Sequence, residues 1–295
     1  KISDGCNQKC AFCIIPTVRG PLRNNSAPNV IRDINELVAA GYSEVVLTGV
    51  HIGHFKDPAD GVRDLTDLLR LILSDTDLPR LRLSSLEPQV VDDAVITFMK
   101  ENTQRVCRYL HLPLQSGSDA VLSAMRRPYD RTRYLEVITA LKRAVPGITI
   151  GGDVIVGFPG ESEQDFADTC EIADSGLMDY LHVFTYSDRD GTRASALPDK
   201  CDPRTVAARH KRLRRISHAR LSAAHQRAVG RELQVISESP DPQTGRFWAV
   251  SDNYLRVLLS DGLGGDRRIH TIRAVAAEGD YLLSQTVAQP AAGAA

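Results

Sequence analysis

Ile148-Thr149-Ile150-Gly151-Gly152-Asp153-Val154-Ile155-Val156-Gly157-Phe158-Pro159-Gly160-Glu161-Ser162-Glu163 is the stretch on which the reading of the fold turns. A β-branched run ends in a Gly-Phe-Pro-Gly turn, and acids then fill the first turn of a helix, so the segment reads as one strand-turn-helix unit. Working outward, the same order recurs between about residue 26 and residue 185. The other expected strands are Glu44–Thr48, Arg80–Ser84, Tyr109–Leu112 and Tyr180–Phe184, with Lys1-Ile2-Ser3 as the stub of a first one, six in all. Ser26 caps a helix that Gly41 ends, and Asp60 or Gly61 opens the next. Successive βα units predict a parallel, barrel-like α/β sheet with its chemistry just beyond the strand ends.

After Pro198-Asp199 the pattern changes to a long helix over residues 203–229. From Arg204 to Arg231 there are nine Lys or Arg residues and no acid, so this segment carries +9 and the remainder −10 of a net charge of −1. Such a stripe suits a polyanion. Past Gly230 the runs Glu232–Ile236, Phe247–Val250, Tyr254–Leu258 and Tyr281–Leu283, separated by Gly, Asp, Asn and Pro, predict a small all-β module. The expected division is 1–229 for the barrel and its basic helix, 230–286 for the β module and 287–295 for a disordered Ala/Gly/Pro tail.

No apolar run approaches the ~18 residues of a membrane helix, and nothing at the start resembles a signal peptide. The chain begins on Lys1 without an initiator Met, which suggests a piece of something longer. Six cysteines are too sparse for a secreted disulfide scaffold, so a reducing, cytoplasmic setting is expected. Cys107, Cys170 and Cys201 stand alone and read as packed thiols.

Cys6, Cys10 and Cys13 are different, because three thiols within eight residues are spaced to ligate a metal. Three thiolates can hold an iron-sulfur cubane and leave one iron open for a substrate or cofactor. The alternative is a zinc knuckle, which wants a fourth Cys or His nearby; His51 and His54 are distant in sequence.

Gly5-Cys6-Asn7-Gln8-Lys9-Cys10-Ala11-Phe12-Cys13-Ile14-Ile15-Pro16, followed by Arg19-Gly20 and Arg23, resembles the cluster loop of the radical S-adenosylmethionine (SAM) methylthiotransferases. Ser84–Pro88, His111–Ser118, Asp153–Glu161, Tyr186-Ser187 and Gly191-Thr192 match the same family in order. The stretches Val46–Gly53 and His182–Ser187 are similar to the branch acting on threonylcarbamoyladenosine in tRNA. The isopentenyladenosine branch and the branch modifying a ribosomal-protein aspartate usually differ at the first of these.

The resemblance implies a partial (β/α)6 barrel followed by a TRAM-like barrel, with a 4Fe-4S cluster on Cys6, Cys10 and Cys13. It implies S-adenosyl-L-methionine contacts from Phe12, Thr48, Gly49, Gln115, Ser116 and the backbone around Gly157, with Glu87 and Asp153 as hydroxyl or amine contacts. Read without it, Gln115-Ser116-Gly117 is a helix-capping turn and Gly157-Phe158-Pro159-Gly160 an ordinary strand-to-helix turn. The implied reaction is methylthiolation of carbon 2 of the base after hydrogen abstraction by a deoxyadenosyl radical. Sulfur comes from a second 4Fe-4S cluster in an N-terminal domain that this chain is expected to begin after. Implied partners are tRNA and an electron donor such as flavodoxin or ferredoxin, with no membrane. Arg19, Arg23, Arg126, Arg127, Tyr254, Arg256, Arg267 and Arg268 are candidate RNA contacts, and Trp248 and Phe247 candidate stacking or core residues. Against all of these stands a non-enzymatic reading, a zinc-stabilised RNA-binding protein.

Overall fold

A computed structural model describes residues 1–287, so the expected disordered tail, Val287 apart, lies outside the described residues. In chain order the first part comprises β1 (Ser3–Asp4), α1 (Ile15–Arg19), β2 (Arg23–Asn24), α2 (Ala27–Ala39), β3 (Glu44–Leu47), α3 (Leu65–Asp75), β4 (Arg80–Leu83), α4 (Asp93–Glu101) and β5 (Tyr109–His111). It continues through α5 (Asp119–Ala124), α6 (Arg131–Ala144), β6 (Thr149–Val156), α7 (Glu163–Asp174), β7 (Tyr180–Thr185) and the long α8 (Pro203–Ala228). The small β part holds β8 (Glu232–Pro240), β9 (Phe247–Ser251), β10 (Arg256–Leu258), β11 (Ile269–Glu278) and β12 (Tyr281–Thr286).

Each helix from α2 to α8 begins on a Ser or Asp whose side chain accepts the amide three residues on: Ser26, Asp64, Asp92, Ser118, Asp130, Ser162 and Asp202. Those caps satisfy amides that a first helical turn leaves unpaired. The start expected at Asp60 or Gly61 is corrected to Leu65. Pro58–Asp60 form a separate 3-10 turn that Gly61 ends in the left-handed region, and Asp64 is the residue that caps.

β3 pairs with β4, β5 with β6, and β6 with β7, all in parallel. Single bridges Ser3–Gly49, Leu81–Val106 and Ser85–His111 join the pieces, so β1, β3, β4, β5, β6 and β7 follow one another around a curved sheet. Among the described residues no strand pairing joins β7 back to β1, so the barrel is partial. Outward-facing Leu47, Leu81, Leu83, Leu110, Ile150 and Val154 share the main core with Ile34, Leu69, Phe98, Leu141 and Phe166 of the helices. The inward positions are mostly polar: Glu44, Arg80, Arg82, Tyr109, His111, Asp153, Tyr180 and His182. A buried-outside, polar-inside pattern is what a strand must carry when its inner face lines a site.

The small part closes into a five-stranded barrel in the order β10-β12-β11-β8-β9. Its longest strand, β11, was not among the expected runs. Its inward residues include Ala274, and a register shift at Ala274/Ala276 breaks the alternation, so the hydrophobic signal is weak. Tyr254 also falls outside a strand; its φ of 66° places it in the turn before Arg256.

A buried ionic seam joins the two barrels. Glu44 receives Arg80 Nε at 2.5 Å and Arg82 Nε at 2.8 Å. These guanidinium groups also donate to main-chain oxygens of the small barrel, Arg80 to Gln234 at 3.0 Å and Arg82 to Ser251 at 2.9 Å. Arg108 grips the Asp252 carboxylate at 2.6 Å.

Candidate active site

The loop after β1 carries Cys6, Cys10 and Cys13, all reduced and half-buried. Gly5 begins it at φ 68°, where a Cβ would lie 2.1 Å from the Pro21 oxygen, so only glycine lets the backbone pass. The loop is then pinned by the Cys6 amide on Gly20 O (3.1 Å), the Ala11 amide on Met125 O (2.9 Å) and the Cys13 amide on Cys10 O (3.1 Å).

Three further side chains close around the thiols. Arg127, its side chain 3% exposed, reaches Glu87 with Nη2 at 2.7 Å, and its Nη1 donates to Cys10 Sγ at 2.9 Å. His51 Nδ1 lies 3.8 Å from Cys6 Sγ, and its Nε2 is 3.3 Å from Glu87 without hydrogen-bond alignment. Burial opposes the charge on Glu87, but His51 and Arg127 outweigh it and hold the carboxyl at about 2. Burial likewise opposes a charged His51, yet Cys6 and Glu87 raise it to about 9. Burial pushes the Cys10 and Cys13 thiols up; on Cys6 the His51 contact and the Gln8 amide overcome burial and bring the thiol below its ordinary value.

The donor set bears on what it can hold. The thiols are close enough that Cys13 opposes ionisation of Cys10, and Cys6 that of Cys13. Yet among the described residues the one set of three ligating atoms all within 4.8 Å of each other is His111, Asp153 and His182. Zn–S bonds of about 2.3 Å put the sulfurs of a single tetrahedral zinc ion about 3.8 Å apart. The three thiols are more widely spread than that, nor does His51 complete a compact set with them. A cubane, which spreads its thiolates over separate irons, fits this donor set better.

The other candidate residues fall into distinct groups. Phe12 packs beside the thiols with Phe158 and Met125. Thr48 is exposed at the end of β3, and Gly49 lies where a Cβ would meet Ser3 Oγ at 2.3 Å. Gln115 takes φ 62°, its amide on the Asp153 oxygen at 2.7 Å. Gly157, at φ 76°, gives its amide to Glu161 at 2.7 Å.

Ser116 is fully buried, its hydroxyl beside Thr169 and accepting the Ser118 amide in the turn before α5. Arg127, one of the candidate RNA contacts, has its guanidinium buried on Cys10 and Glu87.

Of the remaining RNA candidates, Arg19 is exposed beside Asp4, Arg23 and Arg126 are exposed, and Arg256 lies 3.8 Å over the Trp248 ring. Arg267 covers Tyr42, and Arg268 is exposed. Phe247 packs against the core of the small barrel. Tyr254 stacks on Tyr109 at 4.3 Å between ring centres. The basic helix is partly neutralised, since Arg209, Arg220 and Arg227 pair with Glu161, Asp174 and Asp179. Lys211, Arg214 and Arg215 remain exposed beside His210 and His218.

Sequence reasoning missed the roles of His51 and Arg127 beside the thiols, since 45 and 117 residues separate them from their partners. It also missed a cavity of about 590 Å³ on the inner face of β3–β7, lined by Val46, His111, Asp153, His182 and Phe184 and walled by Glu238, Val250 and Tyr254.

Residues 1–173 match the radical SAM superfamily. The chain is 36% identical over 262 residues to the threonylcarbamoyladenosine tRNA methylthiotransferase MtaB of Bacillus subtilis, covering 88% of this chain and 58% of that protein. It is 40% identical over 235 residues to the tRNA-2-methylthio-N(6)-dimethylallyladenosine synthase of Acidothermus cellulolyticus, covering 80% of this chain and 47% of that protein. The chain thus spans about half the length of these curated relatives. Among solved structures, the radical S-adenosylmethionine methyltransferase TsrM of Kitasatospora setae, bound to cobalamin and a [4Fe-4S] cluster, shares the fold at TM-score 0.54 and 17% identity, over 66% of this chain and 37% of that one. Coproporphyrinogen III oxidase HemN of Escherichia coli does so at TM-score 0.52 and 15% identity, over 75% and 51%.

Proposed function

This chain belongs to the radical SAM superfamily, and from that premise we propose that it acts in methylthiolation of carbon 2 of N6-threonylcarbamoyladenosine beside the tRNA anticodon. The observation that carries the reading is the wide set of three thiols held on one loop at the open end of a partial barrel. Cys6, Cys10 and Cys13 would hold a 4Fe-4S cluster, with Thr48, Gly49, Gln115 and Phe12 around S-adenosyl-L-methionine. Bound there, that pair supplies one-electron reductive cleavage of a sulfonium, and the chain's task is to orient and shield it. Arg127 donates to the Cys10 sulfur and, paired with Glu87, brings no uncompensated charge. Phe12, Phe158, Met125 and Tyr186 form an apolar wall that keeps water off this end.

RNA is held on this reading by Lys211, Arg214 and Arg215 of α8, by Arg19 and Arg23, and by the small barrel as a TRAM-like module with Arg256 and Tyr254. The division at residues 229 and 230, the flavodoxin- or ferredoxin-like donor and a cytoplasmic setting belong to the same proposal. No helix among the described residues is long and apolar enough to cross a membrane. The likeness to the Acidothermus enzyme favours a second reading, dimethylallyladenosine as the base.

Two experiments test the proposal. Anaerobic reconstitution with iron and sulfide, then reduction in the presence of S-adenosylmethionine, should yield deoxyadenosine; one equivalent of zinc and no deoxyadenosine refutes it. Deleting the encoding gene should abolish 2-methylthio-N6-threonylcarbamoyladenosine in tRNA nucleosides read by mass spectrometry, whereas selective loss of the methylthio-dimethylallyl nucleoside supports the second reading.

A further inference from the structure

The cavity on the inner face of β3–β7 lies between the two barrels, and at about 590 Å³ it falls within the span of small-ligand sites. Its walls are unusual for this molecule. Val46, Phe184 and Tyr254 are 43%, 51% and 44% exposed, among the few large apolar side chains left to solvent, and all three face this one space. A flat aromatic group would cover them.

On the inner face two imidazoles lie beside one carboxylate, at ion-pair distance and without hydrogen-bond alignment. Asp153 Oδ1 lies 3.0 Å from His111 Nε2 and 3.4 Å from His182 Nδ1. His111 is buried at 6% exposure, whereas His182 is 57% exposed with its ring in the cavity. With Nδ1 turned to Asp153, the Nε2 of His182 faces away from the carboxylate and is open to a ligand, to which it donates when the ring is doubly protonated. Glu44, the other acid of the inner face, is already neutralised by Arg80 and Arg82.

We propose that His182 is the specificity-determining residue of this cavity, giving a hydrogen bond from Nε2 to an acceptor-rich, carboxylate-bearing substituent on the target base. Val46, Phe184 and Tyr254 flank the ring of that base, and Asp153 is the positioning residue: in the complex the ring is doubly protonated, its Nδ1 toward Asp153 and its Nε2–H toward the substituent's carboxylate. An all-carbon substituent would strip water from His182 and return no partner, so the cavity selects against it. This rests on the proposed threonylcarbamoyladenosine substrate and says how the chain distinguishes it from a dimethylallyl base.

The test uses this chain, reconstituted anaerobically, with anticodon stem-loop RNAs that differ only at the target adenosine: threonylcarbamoyl, dimethylallyl or unmodified. Affinities are read by fluorescence anisotropy for the parent, His182→Phe and His182→Asn, with iron content and circular-dichroism melts confirming that each variant folds. The parent should prefer the threonylcarbamoyl loop over the dimethylallyl loop by about tenfold or more, the worth of one charge-assisted hydrogen bond. His182→Phe should erase that preference, and His182→Asn, which keeps a donor, should restore part of it. A folded His182→Phe that keeps the full preference, or that weakens all three loops equally, overturns the assignment and leaves the substrate reading standing. A parent that prefers the dimethylallyl loop sinks the substrate reading and this inference with it. Because His111, Asp153 and His182 also lie within one ion's reach of each other, zinc content is measured in a Cys6→Ala/Cys10→Ala/Cys13→Ala background. One equivalent of zinc that His182→Phe removes makes the cluster a metal site and overturns the proposal.

Discussion

Replacing Glu44 by Gln should loosen the union of the two barrels. Glu44 is the carboxylate for both Arg80 and Arg82, which are 1% and 3% exposed and keep only main-chain oxygens without it. Breaking a buried ion pair by removing one partner costs roughly 3–5 kcal/mol, and the Gln amide oxygen recovers one hydrogen bond of about 1 kcal/mol. The net loss is about 3 kcal/mol, which at about 2–4 °C per kcal/mol lowers the melting temperature by roughly 6–12 °C. Burial opposes the charge on Glu44, but Arg82 and Arg80 outweigh it and hold the carboxyl below its ordinary value. Its contribution is therefore present above the unfolded value of about 4.3 and lost as pH falls through the lower folded one. Thermal melts of both proteins should accordingly differ most near neutrality and converge in acid. A variant melting within about 2 °C of the parent at pH 7 would refute the view that this carboxylate ties the seam.

Two further outcomes follow from the site. Arg127→Gln removes the charged donor on the Cys10 sulfur, so the reconstituted cluster should show a more negative midpoint potential in an EPR-monitored redox titration, and an unmoved potential removes Arg127 from that role. Gly157→Ala places a Cβ 2.5 Å from Val206 Cγ2 at φ 76°, which should cost about 2–4 kcal/mol in urea unfolding. Adding Val206→Ala should recover the steric part only.

The βα order was legible because β3 and β6 show as β-branched runs, and because Ser26 and Ser162 announce helix starts in local sequence. The thiol loop was legible for the same local reason. What escaped reading depends on distance. Arg127 looks like any loop arginine until the fold carries it 117 positions back to Cys10. Asp153 lies beside imidazoles from β5 and β7, a meeting that only strand register decides. In the small barrel, β11 hid because alanines face its core. On α8 the uninterrupted run of basic residues overstated the free charge, since acids on and beside α7 reach across to it.

The central claim is that Cys6, Cys10 and Cys13 hold one iron-sulfur cluster, and the metal content of Cys6→Ala against the parent tests it most directly. After anaerobic reconstitution the parent should carry about four irons and four sulfides per chain, and Cys6→Ala should lose most of both. A parent that takes up a single zinc ion, or a Cys6→Ala chain that keeps its iron and sulfide in full, would contradict the account.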